Sequence, residues 1–289
     1  MEFQLSKGKK SEPEFFVLFG VEGIGKTTFA CGAPNPVVVD IEGGSNQIDT
    51  LRIDEDQLQS LDNINAAIIH LMDTDAETII IDSLTRFQAI LFESIAKAHG
   101  KKSVAEVAYG VGYSEAQAKT LDFIKLCKQA KKKGKNVILI AHNAKKNFND
   151  PTQMEAYARY ELELNDKIAG VIKKEVDAIY FANFKTLIKD GKGLDSGQRL
   201  LYTQRKPGHD AKNRFGLPYE VELEWDAYQT AKANSVETPE QYIEEIQGLA
   251  SEIGDEETRD KVLEAVKSER NIIKLKNYIA RCNDIIHKQ

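Results

Sequence analysis

Cysteine is scarce in this chain. Cys31, Cys127 and Cys282 are the only three in 289 residues. They are odd in number, far apart and never in a CxxC pair. That excludes a disulfide framework or a zinc site and predicts free thiols in a reducing compartment. Long apolar runs are also lacking. None approaches the roughly 18 residues a membrane span requires, and the opening "MEFQLSKGKKSEPE" has no apolar core of a signal peptide. A cytoplasmic protein with no membrane partner is expected. Nor is the chain coated in basic residues: its net charge is −6, which disfavours a blanket affinity for nucleic acid. No internal repeat or low-complexity tract occurs.

What charge there is falls unevenly. Residues 97–146 hold twelve Lys and no Arg, against Glu106, Glu115 and Asp122, a surplus of nine positive charges. Residues 237–257 hold eight acids and no base. Each run can be a solvated face, yet the asymmetry leaves room for a local anion-binding surface. At 42% hydrophobic and 29% charged residues, the composition is that of an ordinary globular protein.

Short apolar runs alternate with helical stretches. "EFFVLFG" (14–20), "NPVVVD" (35–40), "ETIIID" (77–82) and "KNVILIA" (135–141) read as buried strands, the continuous type of a parallel sheet covered on both faces. "SEAQAKTLDFIKLCKQAKKKG" reads as a helix with Ser114 as N-cap, Gly134 as C-cap and a stripe of Leu121, Ile124 and Cys127. "NDKIAGVIKKEVD" predicts a further helix, then "AIYFANFKTLI" and "RLLYTQ" predict a hairpin. From 237 on, Thr238 with Gln241 forms a capping-box pattern, Pro239 suits the first helical position, and Asp255 and Ser268 are candidate caps of two more helices. The expected domains are an extension over 1–13, an α/β core over 14–236 and a small helical appendage over 237–289.

The strongest motif is "GVEGIGKT", which matches GxxxxGK[ST] between a predicted strand and a predicted helix. The glycines let successive backbone N–H groups face phosphate oxygens. Gly20, Val21, Glu22, Gly23, Ile24, Gly25, Lys26, Thr27 and Thr28 are therefore expected to bind ATP, with Lys26 at the β- and γ-phosphates and Thr27 on Mg²⁺. Asp82 ends a buried strand where such sheets place ligands, and is the expected carboxylate for the metal. The next residue is Ser83 and not Glu, so any water must be polarised from elsewhere. Glu42 in "VVVDIEGG" is the candidate base, with Asp40 as its rival. His142, ending the fourth strand in "AHN", is a candidate sensor of the γ-phosphate.

This set of motifs resembles the RecA-type ATPase core: a P-loop, a Glu after the second strand, a metal Asp without a following Glu, and a polar residue ending the fourth strand. "KNRFG" (212–216) is similar to a segment of the RadA branch and to the Lys-Asn-Lys segment of RecA. With "FGVEGIGKTTFA", "DIEGG" and "DAKNRFGLP", the layout resembles phage-encoded RecA-core ATPases, among them single-strand annealing proteins of the Sak type. The resemblance covers residues 14–230.

It implies a RecA-like P-loop NTPase fold: α/β, with a central mostly parallel sheet flanked by helices, plus the C-terminal helical appendage. It implies a ring or filament in which Lys212 and Arg214 reach the nucleotide of the neighbouring protomer. It also implies DNA-binding loops. Here these hold Lys101, Lys102, Tyr109 and Tyr113 in one segment and Lys145, Lys146 and Arg159 in another, cations among rings as single-strand binding requires. The implied activity is Mg-ATP-dependent annealing or strand exchange on single-stranded DNA, in the cytoplasm of a bacterial host. RecA's N-terminal polymerisation helix and the zinc ribbon and protease-like domain of RadA have no counterpart in this sequence, which points assembly toward the helical tail. Two other readings stay open: a scaffold or loader whose tail docks a single-strand binding protein or helicase, and a P-loop small-molecule kinase, for which no arginine-rich lid is found.

Overall fold

The computed structural model describes residue 5 and residues 12–149, 155–189, 192–235 and 239–287, with backbone alone for 186–189 and 192–195. Thr238 and most of the 1–13 extension lie outside the described residues. Two compact units are present, Met1–Ala231 and Lys232–Gln289.

The first unit is built on a sheet of nine strands: β1 (Phe15–Gly20), β2 (Pro36–Asp40), β3 (Leu51–Ile53), β4 (Thr78–Asp82), β5 (Asn136–Phe148), β6 (Tyr157–Leu162), β7 (Ala178–Lys189), β8 (Lys192–Tyr202) and β9 (Glu220–Glu222). Their order is β3-β2-β4-β5-β1-β7-β8-β9, with β6 paired to β5. The strands from β3 to β7 run parallel, and β6, β8 and β9 add on antiparallel. The helices are α1 (Lys26–Cys31), α2 (Leu61–Leu71), α3 (Leu84–Ala98), α4 (Val111–Lys132), α5 (Asp166–Glu175) and α6 (Trp225–Asn234).

Alternation along each strand divides the core. Phe15, Val17 and Phe19 with Val37, Val39, Ile79 and Ile81 face α2–α5. Phe16, Leu18, Val38, Ile80 and Tyr180 face Phe29 of α1 and Trp225 and Tyr228 of α6. Every strand residue of β1 and β4 is buried, as a strand covered on both faces requires. β5 lies between the strand that leads into the P-loop and the strand that ends in Asp82.

Two expectations need correction. First, β5 does not stop at 141. It continues to Phe148 and turns into β6, with Lys145 opposite Tyr160 and Lys146 opposite Arg159. The polar half of β5 lies outside the covered sheet, so no apolar run announces it. Second, α4 begins at Val111 with Gly110 as N-cap, and Ser114 lies within its first turn, donating to Gly110 O at 3.3 Å. Leu121 is half exposed; the buried stripe is Ala116, Thr120, Phe123, Ile124 and Cys127. α4 spans roughly 33 Å at 1.5 Å per residue, whereas β1 spans roughly 17 Å. Because α4 ends beside the start of β5 (Lys135 N to Ala130 O, 3.1 Å), its first turns project past the edge of the sheet where the P-loop sits.

The second unit holds α7 (Pro239–Ser251), α8 (Glu256–Lys267) and α9 (Ile272–Ile286) around Ile246, Ile253, Val266, Leu275 and Cys282. Pro239 is the first helical residue. Asp255 caps α8 through the Thr258 N–H at 2.9 Å. Asn271 caps α9 instead of Ser268, which closes the C-terminus of α8.

Candidate nucleotide site

Gly20 ends β1 against β7 so closely that a Cβ there would stand 2.1 Å from Ala182 O. From there the chain turns through Gly23 (φ +70°) and Gly25 (φ +100°), left-handed conformations that only glycine adopts at low cost. The curl leads directly into α1. Lys26 is buried, and its ammonium donates to Gly20 O and Val21 O, both at 3.0 Å. Burial lowers its pKa, while Asp82, Glu42 and Glu22 oppose that shift. A desolvated cation under a cradle of glycine N–H groups fits a polyphosphate.

Beside it, Thr27 Oγ1 donates to Asp82 Oδ2 at 2.6 Å. Asp82 is 6% exposed. Burial raises its pKa to about 6; the Thr27 hydrogen bond and Lys26 oppose the rise, and Glu42 and Asp40 add to it. Among the described residues no three His, Cys, Asp or Glu side chains form a cage for a metal. One hydroxyl and one carboxylate are what Mg²⁺ takes from a protein when phosphates and water complete its shell, so the residues present fit Mg-ATP.

Glu42 and His142 meet. His142 Nε2 lies 3.0 Å and 3.1 Å from the two Glu42 oxygens, and Ser83 Oγ donates to Glu42 Oε1. Partial burial would raise the Glu42 pKa, but the hydrogen bonds from His142 and Ser83 pull it below its ordinary value. The Glu42 hydrogen bond in turn raises that of His142. Glu42 is therefore an ionised carboxylate at the sheet edge beside Lys26 and Asp82, suited to polarise a water. Asp40 is committed elsewhere: it accepts from Gly44 N, Ser45 N and Ser45 Oγ at 3.1, 2.9 and 2.6 Å, closing the loop after β2.

Lys212 and Arg214 lie at the opposite edge. Asp177 N bonds Phe15 O at the start of β1, and Arg214 Nη1 is 3.7 Å from Asp177 Oδ1. The length of β1, roughly 17 Å, separates them from their own P-loop. The Lys212 ammonium donates to Val176 O at 2.6 Å and Lys173 O at 2.9 Å, capping the C-terminus of α5. Arg214 is 57% exposed, and Asp177, which it faces, lines a pocket of about 450 Å³ with Lys128, Lys131 and Glu175. Of the two cations, Arg214 is the one free to reach outward.

The residues expected at DNA divide in the same way. Lys101, Lys102, Tyr109 and Lys145 are exposed, and Tyr109 is wholly so with φ +54°. Tyr113 packs edge-on against Phe92. Lys146 pairs with Asp166 at 2.6 Å. Arg159 is 5% exposed, bonded to Glu161 through Nε at 2.9 Å and stacked on Phe148 at 3.7 Å. Two features escaped the sequence reading. Arg199 stands over the P-loop, and Arg205 and Lys206 lie on the rings of Phe148 and Tyr219. Neither has a local sequence signal, because both depend on the return of β8 and of the loop after it.

Residues 12–215 match the model of the AAA_24 family, described as AAA domain, and the chain belongs to that family. By that match it is a P-loop ATPase. No curated protein matches the chain. Among solved structures it is similar to the flagellar accessory protein FlaH of Methanocaldococcus jannaschii, with 13% identity over 73% of this chain and 84% of that one at a TM-score of 0.34. It is also similar to the KaiC-like protein PH0186 of the hyperthermophilic archaeon Pyrococcus horikoshii OT3, with 15% identity over 66% and 79% at a TM-score of 0.37. Among the described residues no helix is long and apolar enough to cross a membrane.

Proposed function

We propose that the protein is a Mg-ATP-dependent ATPase that binds single-stranded DNA and promotes annealing or strand exchange in phage recombination, in the cytoplasm of a bacterial host. One observation carries the reading: β5 joins the hydrolytic site to a surface of cations laid on rings. The strand passes through His142, which touches Glu42. Three residues on, Lys145 lies over Tyr160 at 5.4 Å. Nearby, Lys206 covers Tyr219 at 4.7 Å and Arg205 covers Phe148 at 5.6 Å. Tyr160, Phe181, His209 and Tyr202 stack behind them at centroid spacings of 5.0, 5.2 and 4.9 Å. Charge for a phosphate backbone beside faces for bases is the composition of a single-strand platform. A strand shared with the γ-phosphate side gives a route by which occupancy of one site alters the other.

Arg214 completes the proposal as the trans cation of a ring or filament, since its own P-loop lies at the far edge of the sheet. The test is fluorescence anisotropy with a labelled oligonucleotide. Lys145→Ala/Arg205→Ala/Lys206→Ala should weaken binding at least tenfold and flatten its salt dependence. An unchanged affinity and salt slope would remove DNA from the account.

A loader reading is favoured by a separate observation. The 239–287 helices have their own core and an acidic first half, as a unit that docks a basic partner requires. Deleting residues 232–289 should then abolish capture of a single-strand binding protein or helicase while leaving nucleotide binding intact.

A further inference from the structure

Arg199 is a cation outside the P-loop that the fold sets against it in the same protomer. β7 pairs with β1 up to Gly20 opposite Ala182. β8 returns antiparallel, with Arg199 opposite Phe184, two residues beyond Ala182. The side chain therefore leaves the sheet just past the point where the P-loop begins. Its Nη1 lies so close to Gly25 that a Cβ on that glycine would stand 2.8 Å away. Its Nη2 donates to Glu224 Oε1 at 2.6 Å.

The Arg199–Glu224 pair is exposed, with the side chains 40% and 63% accessible. Exposed pairs of this kind contribute little to stability and exchange partners readily. A guanidinium, by contrast, matches two phosphate oxygens with two parallel N–H groups and is strong in that role. Position selects which phosphates. Thr27, Asp82, Glu42 and His142 gather on the β2, β4 and β5 side of β1, where the metal and γ-phosphate belong. Arg199 comes from the β7 and β8 side. It therefore meets the phosphate chain from the flank away from the metal, where the α- and β-phosphates common to ADP and ATP lie.

We propose that Arg199 is a nucleotide-binding residue of its own protomer, released from Glu224 to hold the α- and β-phosphates. This rests on reading the P-loop as the nucleotide site, and is independent of DNA and of hydrolysis. The experiment is calorimetric titration of Mg-ADP and Mg-ATP into the wild-type, Arg199→Ala, Arg199→Lys and Glu224→Gln proteins, with thermal melts as a check on folding.

Arg199→Ala should weaken both nucleotides by the same factor, about tenfold or more, the loss of a charge-assisted bond. Arg199→Lys should recover part of that loss. Glu224→Gln should bind at least as tightly as wild type, because a competitor for the guanidinium is gone. Three results overturn the inference: Arg199→Ala binding like wild type, Glu224→Gln weakening binding as much as Arg199→Ala, or a loss confined to ATP. A wild type that binds neither nucleotide overturns the P-loop reading as well, so the two failures are distinguishable.

Discussion

Asp82 sets the requirement for the metal against the stability of the fold. Its carboxyl has a pKa of about 6 in the folded chain against an ordinary 3.8, chiefly through burial, with Glu42 and Asp40 adding repulsion. The native state thus holds the proton more tightly than the unfolded chain does. Stability is fullest below the unfolded value, falls through the window from 3.8 to about 6, and stays reduced above it. A gap of about two units at about 1.4 kcal/mol each gives a ceiling of about 3 kcal/mol. Asp82→Asn keeps an oxygen to accept the Thr27 hydroxyl and removes the buried charge.

In metal-free buffer at pH 7.5 the variant should be more stable than wild type by about 1–3 kcal/mol. The gap should fall to about half by pH 5 and close toward pH 3. Urea unfolding followed by fluorescence reads this from the core unit, because Trp225, the sole tryptophan, is buried there. Adding Mg-ATP should reverse the order, stabilising wild type by mass action and the variant far less. A gap that does not change with pH, or a variant less stable at pH 7.5, refutes the reasoning.

Other expectations are simpler to check. Glu42→Gln should retain nucleotide affinity by calorimetry and lose at least about a hundredfold in hydrolysis, the usual contribution of a general base. Lys212→Ala should cost about 1–2 kcal/mol in urea unfolding, since it strips the cap from α5. Arg214→Ala, on the surface, should cost under about 0.5 kcal/mol yet lower ATPase activity in the assembled protein. Gly20→Ala should yield unfolded or insoluble protein, because the new Cβ meets Ala182 O at 2.1 Å and the backbone of two central strands cannot part.

The parts of the molecule legible in the sequence are those where one local signal suffices. The buried strands announce themselves by apolar runs, and the P-loop by glycines at positions where the backbone turns left-handed. Asp255 caps the helix that its type suggests. The unread parts depend on what the chain folds against. The outer half of β5 is polar, and its partner β6 mixes Arg159 and Glu161 with Tyr160, which stacks on Phe181, and Leu162, which enters the core, so neither shows a continuous apolar run. Lys212 resembles a free finger in the sequence but finds the open carbonyls of α5 in space. Arg159 resembles a DNA contact but is held between Glu161 and Phe148. Arg199 carries no motif, because its placement over Gly25 results from how β7 and β8 turn back beside β1.

The central claim is that ATP turnover in this protein answers to single-stranded DNA. Steady-state ATP hydrolysis of the wild-type protein, with and without an oligonucleotide at saturating Mg-ATP, tests it most directly. The account expects a slow basal rate, several-fold stimulation by single-stranded DNA, and loss of that stimulation in Arg214→Ala. A rate indifferent to DNA, and unchanged in Arg214→Ala, would contradict it.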